Sequence, residues 1–175
     1  PTDAMFGSVR LFAQPRRRTA ASRRATRATW CCSGPRRADS PPAGCNWIPT
    51  PAISADWLEK KYDYDGFVFL SKHAAESGVL ALTCHSTGNF SEAKFGGNAR
   101  QVAIPHPYVQ KEYLQTLWKN KSKFSDFQIT IEATHHGPTS LTKPVIFIEI
   151  GTTEKQWTDV SLCNSVAVLV HDVMT

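Results

Sequence analysis

The sequence predicts an α/β fold, a mixed or mostly parallel sheet flanked by helices. Three observations carry this expectation. The runs "GFVFL" (66–70), "VLALTC" (79–84) and "PVIFIEI" (144–150) are apolar on both faces, the pattern of strands buried between two layers. Stretches with helical spacing alternate with these runs. With 41% hydrophobic residues in 175, the chain can fill one core of ordinary domain size.

Residues 1–46 stand apart. "QPRRRTAASRRATRATWCCSGPRRADSPPAG" is rich in Arg, Ala, Ser and Pro and lacks apolar periodicity. It is expected to be disordered or non-native, with an organellar transit peptide as the alternative. A partial α/β domain is expected over 47–175. "ISADWLEKKYD" opens it as a helix, with Ser54 as N-cap and Trp57, Leu58 and Tyr62 at helical spacing. "GFVFL" and "VLALTC" follow as strands. "PHPYVQKEYLQTLWKNKSKF" (105–124) reads as an amphipathic helix burying Val109, Tyr113 and Leu117, with Trp118 as a further candidate. "DFQITIEAT" (126–134) alternates, placing Phe127, Ile129, Ile131 and Ala133 on one strand face. After the strand "PVIFIEI", "IGTTEKQW" starts a helix capped by Thr152 or Thr153. "LCNSVAVLVHDVM" (162–174) is the last helix.

Charge narrows the function classes. The formal net charge is +5, but residues 1–50 hold nine Arg against two Asp. The remaining 125 residues hold ten Lys and one Arg against thirteen acids, so the folded part is mildly acidic and the basic balance does not indicate nucleic acid. The five cysteines have no metal-finger spacing and their number is odd, which points to reduced thiols in an intracellular protein. No apolar run is long enough to span a membrane. The expected location is cytoplasmic, or organellar if residues 1–46 are a transit peptide.

The polar residues fall where the strands end. "GFVFL" is followed by Ser71-Lys72-His73, "VLALTC" by His85, and "QITIEAT" by His135-His136, while "PVIFIEI" carries Glu149. Four of the six histidines thus follow predicted strands, at the edge where open α/β sheets bind ligands. Adjacent residues of a strand face opposite ways, so His135 and His136 share one task only if the chain turns. Glu132, Thr134 and His136 share one strand face. The Gly137-Pro138 break supplies a turn. Neutral imidazoles suit zinc, alone or with a carboxylate. The same groups without metal form a general base and its orienter, and both readings stand. "HSTGNF" (85–90) offers a nest of amides plus the Asn89 side chain for an oxyanion, or is a plain turn. Lys94 and Arg100 in "KFGGNAR" are candidate phosphate contacts. Cys84 beside His85 is read as a buried thiol rather than a nucleophile.

Taken together, "FLSKHAAESGVLALTCHSTGNF", "GGNAR" and "EATHHGPTSLTKPVIFIEIGTTEKQW" resemble the D-aminoacyl-tRNA deacylase family of archaea and plants, over about residues 53–175. The resemblance implies a fold similar to peptidyl-tRNA hydrolase and phosphorylases. It implies hydrolysis of the ester between a D-amino acid and tRNA by zinc-dependent monomers. The motifs carry over His73, His85, Asn89, Glu132, His135, His136, Glu149 and Glu154. The catalytic candidates are His73, His85, Asn89, Glu132, His135 and His136; those for zinc are His85, His135, His136 and Glu149. The acceptor end of tRNA is expected at Lys72, Lys94 and Arg100, and no protein partner is inferred. The family begins before the region matching residue 53 and continues past Thr175. The chain is therefore expected to be incomplete at both ends of the fold and weakly active or inactive. Two other readings compete: a metal-dependent amidase or peptidase using the same histidines, and a tRNA-binding module without catalysis.

Overall fold

The computed structural model describes residues 9–12, 45–48, 52–62 and 64–174, the first two segments as backbone only. Strands β1 (Val9–Phe12) and β2 (Cys45–Ile48) come first, then a one-turn helix α1 (Leu58–Lys61). Strands β3 (Phe67–Ala74) and β4 (Ala81–His85) follow, then a short ladder of β5 (Gly88–Asn89) and β6 (Gln101–Val102). Helix α2 (Pro107–Lys119), strands β7 (Gln128–Ile131) and β8 (Val145–Thr152), and helices α3 (Glu154–Trp157) and α4 (Val160–Met174) complete the chain. Apart from β1 and the start of β2, the segment 1–46 lies outside the described residues.

The main sheet runs in the order β2-β1-β3-β8-β4-β7. It is mixed. β3 is parallel to β8 and β4 to β7, but β4 is antiparallel to β8. Only residues 75–80 join β3 to β4, too few for the crossover that parallel strands require, so the chain must turn back. Strand β8 then inserts between them. The carboxyl ends of β3 and β4 consequently lie at opposite edges of the sheet. The expectation that the histidines share one carboxyl edge is therefore corrected.

One face of the sheet is covered by α2 and α4. Val109, Tyr113 and Leu117 pack with Cys163, Val166, Ala167 and Val170 onto Leu70, Leu82, Cys84, Ile146, Ile148 and Ile150. All eight residues of β8 are buried, Glu149 and Thr152 among its apolar residues. Each such aliphatic side chain contributes about 1.5–3 kcal/mol on full burial. The other face has two halves. Phe67, Phe69, Val145 and Phe147 are covered by Ala52, Ala55, Leu58, Ala103 and Leu141. Further along the same strands the residues turn polar, and there the site lies.

Several elements differ from expectation. Ser54 ends a 3-10 turn (Ala52–Ser54), and α1 begins only after Trp57, where Leu58 enters the core. Helix α2 stops at Lys119, and a second 3-10 turn (Lys121–Phe124) delivers Phe124 to the core. Trp118 is 64% exposed, one residue and about 100° round the helix from Leu117. Strand β7 is the sheet edge, so Phe127 and Ile129 are half-buried while Ile131 and Ala133 are exposed. Thr153 caps α3, its N–H donating to Gln156 Oε1 at 3.0 Å. No helix among the described residues is long and apolar enough to cross a membrane.

Candidate functional site

Register alone places the site. Residues directly opposite in neighbouring strands point to the same face. Glu149 pairs with Ser71 on one side and Thr83 on the other, and Thr83 pairs with Thr130. His73 is two residues from Ser71, His85 two from Thr83, and Glu132 two from Thr130. All therefore share the face of Glu149, the one not covered by α2 and α4. His73 and His85 approach Glu149 from opposite directions because their strands are antiparallel. Glu149 Oε2 lies 3.8 Å from His73 Nδ1, and its Oε1 lies 3.9 Å from His85 Nε2. His73 Nδ1 is also 3.1 Å from Glu132 Oε1. His73 can reach this far because its partner across the ladder is Gly151. A Cβ there would stand 2.8 Å from His73 Cβ and Cδ2.

The adjacent histidines converge through a backbone turn. The chain leaves the sheet after Ile131, and His135 bridges to Thr87. His136 then adopts φ 47°, the left-handed conformation, which turns its ring to the side of His135. The ring centroids of His85, His135 and His136 lie 4.2, 4.8 and 4.5 Å apart, with Phe147 beneath His85 and His136. Gly137 is needed for close approach: a Cβ there would stand 2.3 Å from Ile53 O and 2.4 Å from Gly97 N. The loop read as a basic phosphate contact is thus a clamp on this turn. Asn98 N donates to Thr139 Oγ1 at 2.8 Å. Asn89 Nδ2 donates to the Gly96 and Asn98 carbonyls at 2.9 and 3.1 Å. The Gly88 N–H is committed to His136 O at 2.8 Å, which leaves the expected amide nest without that donor.

Each ring of the histidine triad faces a main-chain carbonyl with Nδ1. The distances are 3.0 Å from His85 to Ser86 O, 2.7 Å from His135 to Ala133 O and 2.6 Å from His136 to Gly137 O. A carbonyl only accepts, so in the neutral ring Nδ1 carries the proton and Nε2 keeps its lone pair. Neutral imidazole is a common cation ligand, and the triad offers one ring nitrogen from each residue. Donor atoms of His85, His135 and His136 lie within 4.8 Å of one another, and so do those of His73, Glu132 and Glu149. The expected metal set is thereby divided, because Glu149 belongs to the second group. Its two oxygens nevertheless point one to each.

Ionisation follows from this packing. Burial opposes the charge of Glu149, but His73 and His85 outweigh it and hold the carboxyl at about 2. The Glu149 carboxylate raises His73. Burial works against protonation of His85, and Glu149 overcomes it, so His85 is raised too. Burial, aided by the neighbouring His85, lowers His136 to about 4 and keeps its imidazole neutral. Among the described residues, four buried side-chain polar atoms lack a hydrogen-bond partner. Three of them, Thr83 Oγ1, His85 Nε2 and Glu132 Oε1, lie on the site face. Glu132 Oε1 has the ion-pair distance to His73 without the alignment of a hydrogen bond.

The remaining candidates lie elsewhere. Lys72 is on the helix-covered face with Nζ 5.1 Å over the Trp157 ring. Lys94 pairs with Glu92 at 3.6 Å, and Arg100 is exposed at φ 57°. Glu154 is exposed at the start of α3. Cys84 is buried on the helix-covered face with its thiol pushed up to about 11 by burial, unsuited to nucleophilic work. Thr83 and Gly151 were missed from sequence. Only the alignment of β4 against β8 shows that Thr83 faces Glu149.

A mixed sheet that gathers four imidazoles and two carboxylates on one face defines an α/β protein with a polar, titratable site. Its residues 60–175 match the family model described as D-aminoacyl-tRNA deacylase. The chain belongs to the D-aminoacyl-tRNA deacylase family. It is 64% identical over 125 residues to the D-aminoacyl-tRNA deacylase of Cenarchaeum symbiosum, covering 71% of this chain and 48% of that one. The corresponding protein of Archaeoglobus fulgidus is 36% identical over 126 residues, covering 70% and 45%. A crystal structure described as a conserved protein of unknown function, AF0625, superposes with a TM-score of 0.66 at 35% identity, covering 70% of this chain and 45% of that one. The chain spans about half the length of the curated relatives it matches.

Proposed function

We propose that this chain hydrolyses the ester joining a D-amino acid to tRNA, releasing free tRNA and the D-amino acid. The observation that supports it is that ring nitrogens of His85, His135 and His136 lie within 4.8 Å of one another, beside the His73–Glu132–Glu149 group, in a chain of this family. Zinc fits the donors. His85, His135 and His136 would hold it through Nε2, and the His73–Glu132–Glu149 group is a second place where a cation fits. When bound, zinc supplies a Lewis acid and lowers the pKa of water. The protein's own residues supply the proton traffic. Glu132, with Oε1 buried and without a hydrogen bond, accepts a proton from the attacking water. His73, whose pKa the neighbouring carboxylates raise, hands one to the departing ribose oxygen. Glu149 stays ionised throughout and orients His73 and His85.

The test compares release of tyrosine from D-Tyr-tRNA and L-Tyr-tRNA, with metal content measured on the same preparations. The expected result is slow, D-selective release that falls by about 10²-fold or more in His73→Ala. His136→Ala should lose metal. Absence of release, equal release from both substrates, or full activity in His73→Ala would each sink the proposal. Cleavage of a peptide or amide in place of the ester would favour the amidase.

A further inference from the structure

On the outer edge of the sheet a groove of about 720 Å³ lies between α2 and β7. Leu114, Trp118 and Lys119 line one side, and Ile129, Thr130 and Ile131 the other. Trp118 is 64% and Ile131 57% exposed, two large apolar side chains lining one groove. Four of the eleven cations of residues 51–175 lie on the helix that forms one wall and on the turn after it. Residues 107–124 hold Lys111, Lys119, Lys121 and Lys123, all exposed, against one glutamate. The rest of residues 51–175 holds six Lys and one Arg against twelve acids. Lys111, Trp118 and Lys119 stand at i, i+7 and i+8, on one stripe of α2. Lys121 Nζ lies 4.5 Å over the Trp118 ring.

Compensation of the helix dipole accounts for lysines in the last turn of α2, but not for Lys111 or for the exposed indole. An exposed aromatic ringed by cations suits a single nucleic-acid strand, whose bases stack and whose phosphates need neutralising. The groove also leads to the site. Thr130 and Ile131 line it, and the next residue is Glu132, 3.1 Å from His73.

We propose that this groove binds the single-stranded acceptor end of tRNA, with Trp118 stacking on a base and Lys119, Lys121 and Lys123 holding phosphates. The ester then reaches Glu132 and His73 around the end of β7. This rests on the deacylase reading and moves the RNA contact from Lys72, Lys94 and Arg100 to the groove between α2 and β7.

The experiment is fluorescence anisotropy of the 175-residue protein with uncharged tRNA and with a labelled single-stranded RNA dodecamer. Trp118→Ala is expected to weaken both about tenfold or more, the effect of losing one stacked base. The triple variant Lys119→Gln, Lys121→Gln, Lys123→Gln is expected to reduce the slope of log affinity against log salt by about 2. Thermal melts should be unchanged, since all four side chains are exposed. In the deacylation assay the same variants should raise KM and leave kcat alone. Failure of the unaltered protein to bind RNA would overturn the proposal. So would groove variants that bind like the parent, or affinity lost only in Lys94→Gln, Arg100→Gln. Self-association that Trp118→Ala abolishes, with RNA binding intact, would give the groove to a second copy instead. Binding and hydrolysis fail separately: RNA held in the groove without hydrolysis sinks the deacylase reading, and hydrolysis untouched by groove variants sinks the groove.

Discussion

His136 accepts an uncommon backbone conformation so that its ring can join His85 and His135. Its burial has a measurable consequence. The group titrates near 4 when folded, against an ordinary 6.5. Between these values the unfolded chain takes up a proton that the folded chain refuses, so this contribution to stability falls on acidification. His73 and His85 are raised, and theirs runs oppositely: present at low pH and lost as pH rises through the folded values. Removing only the first should show the sign. His136→Gln is expected to have a smaller drop in Tm between about pH 7.5 and about pH 5 than the parent, and a larger drop would contradict the assignment. Gly151 offers a second residue-level test. Gly151→Ala presses a methyl onto His73 and should cost about 1–3 kcal/mol by denaturant titration, with activity lost as His73 leaves Glu132 and Glu149. Adding His73→Ala should leave most of that loss in place, because the Cβ and the carbonyl oxygen of residue 73 still stand 2.8 Å from the added methyl. The histidine pair and its Gly-Pro turn were legible in the text "THHGPT" because glycine and proline state their backbone demands openly. Thr83 and Gly151 were not, since their significance depends on what lies across the ladder.

At the scale of elements, the apolar runs announced every central strand, because a strand buried on both faces has no polar positions to spare. What they left open was direction. The residues between β3 and β4 held the answer in their number, too few for a crossover, yet local pattern cannot say that β8 will later fill the gap between them. The short helices α1 and α3 were harder to place than α2 and α4, one turn being too little for periodicity to register. Strand β8 is held on both edges by β3 and β4 and on both faces by side chains. Its amides at Ile146–Ile150 are therefore expected to exchange hydrogen only through global unfolding, measured as protection equal to the unfolding free energy. The edge strand β7, with one free side, should exchange by local opening. Equal protection in the two strands would show that some further segment covers β7.

For the molecule as a whole, the acidic balance of the folded part was readable from counting, while its sorting into a cationic helix edge and an acidic remainder needed the fold. The site is shared between two pairs of strands running in opposite senses, and only β8 joins them. That strand follows the other five of the sheet in the sequence. While the ribosome is still making residues before Val145, β3 and β4 have emerged without the neighbour that belongs between them, each with an apolar flank unpaired. Neither half can assemble the cluster alone, since Glu149 arrives with β8. The sheet and its reactive face are thus completed in one step, when β8 enters, and a nascent chain stalled before it would be a target for chaperones.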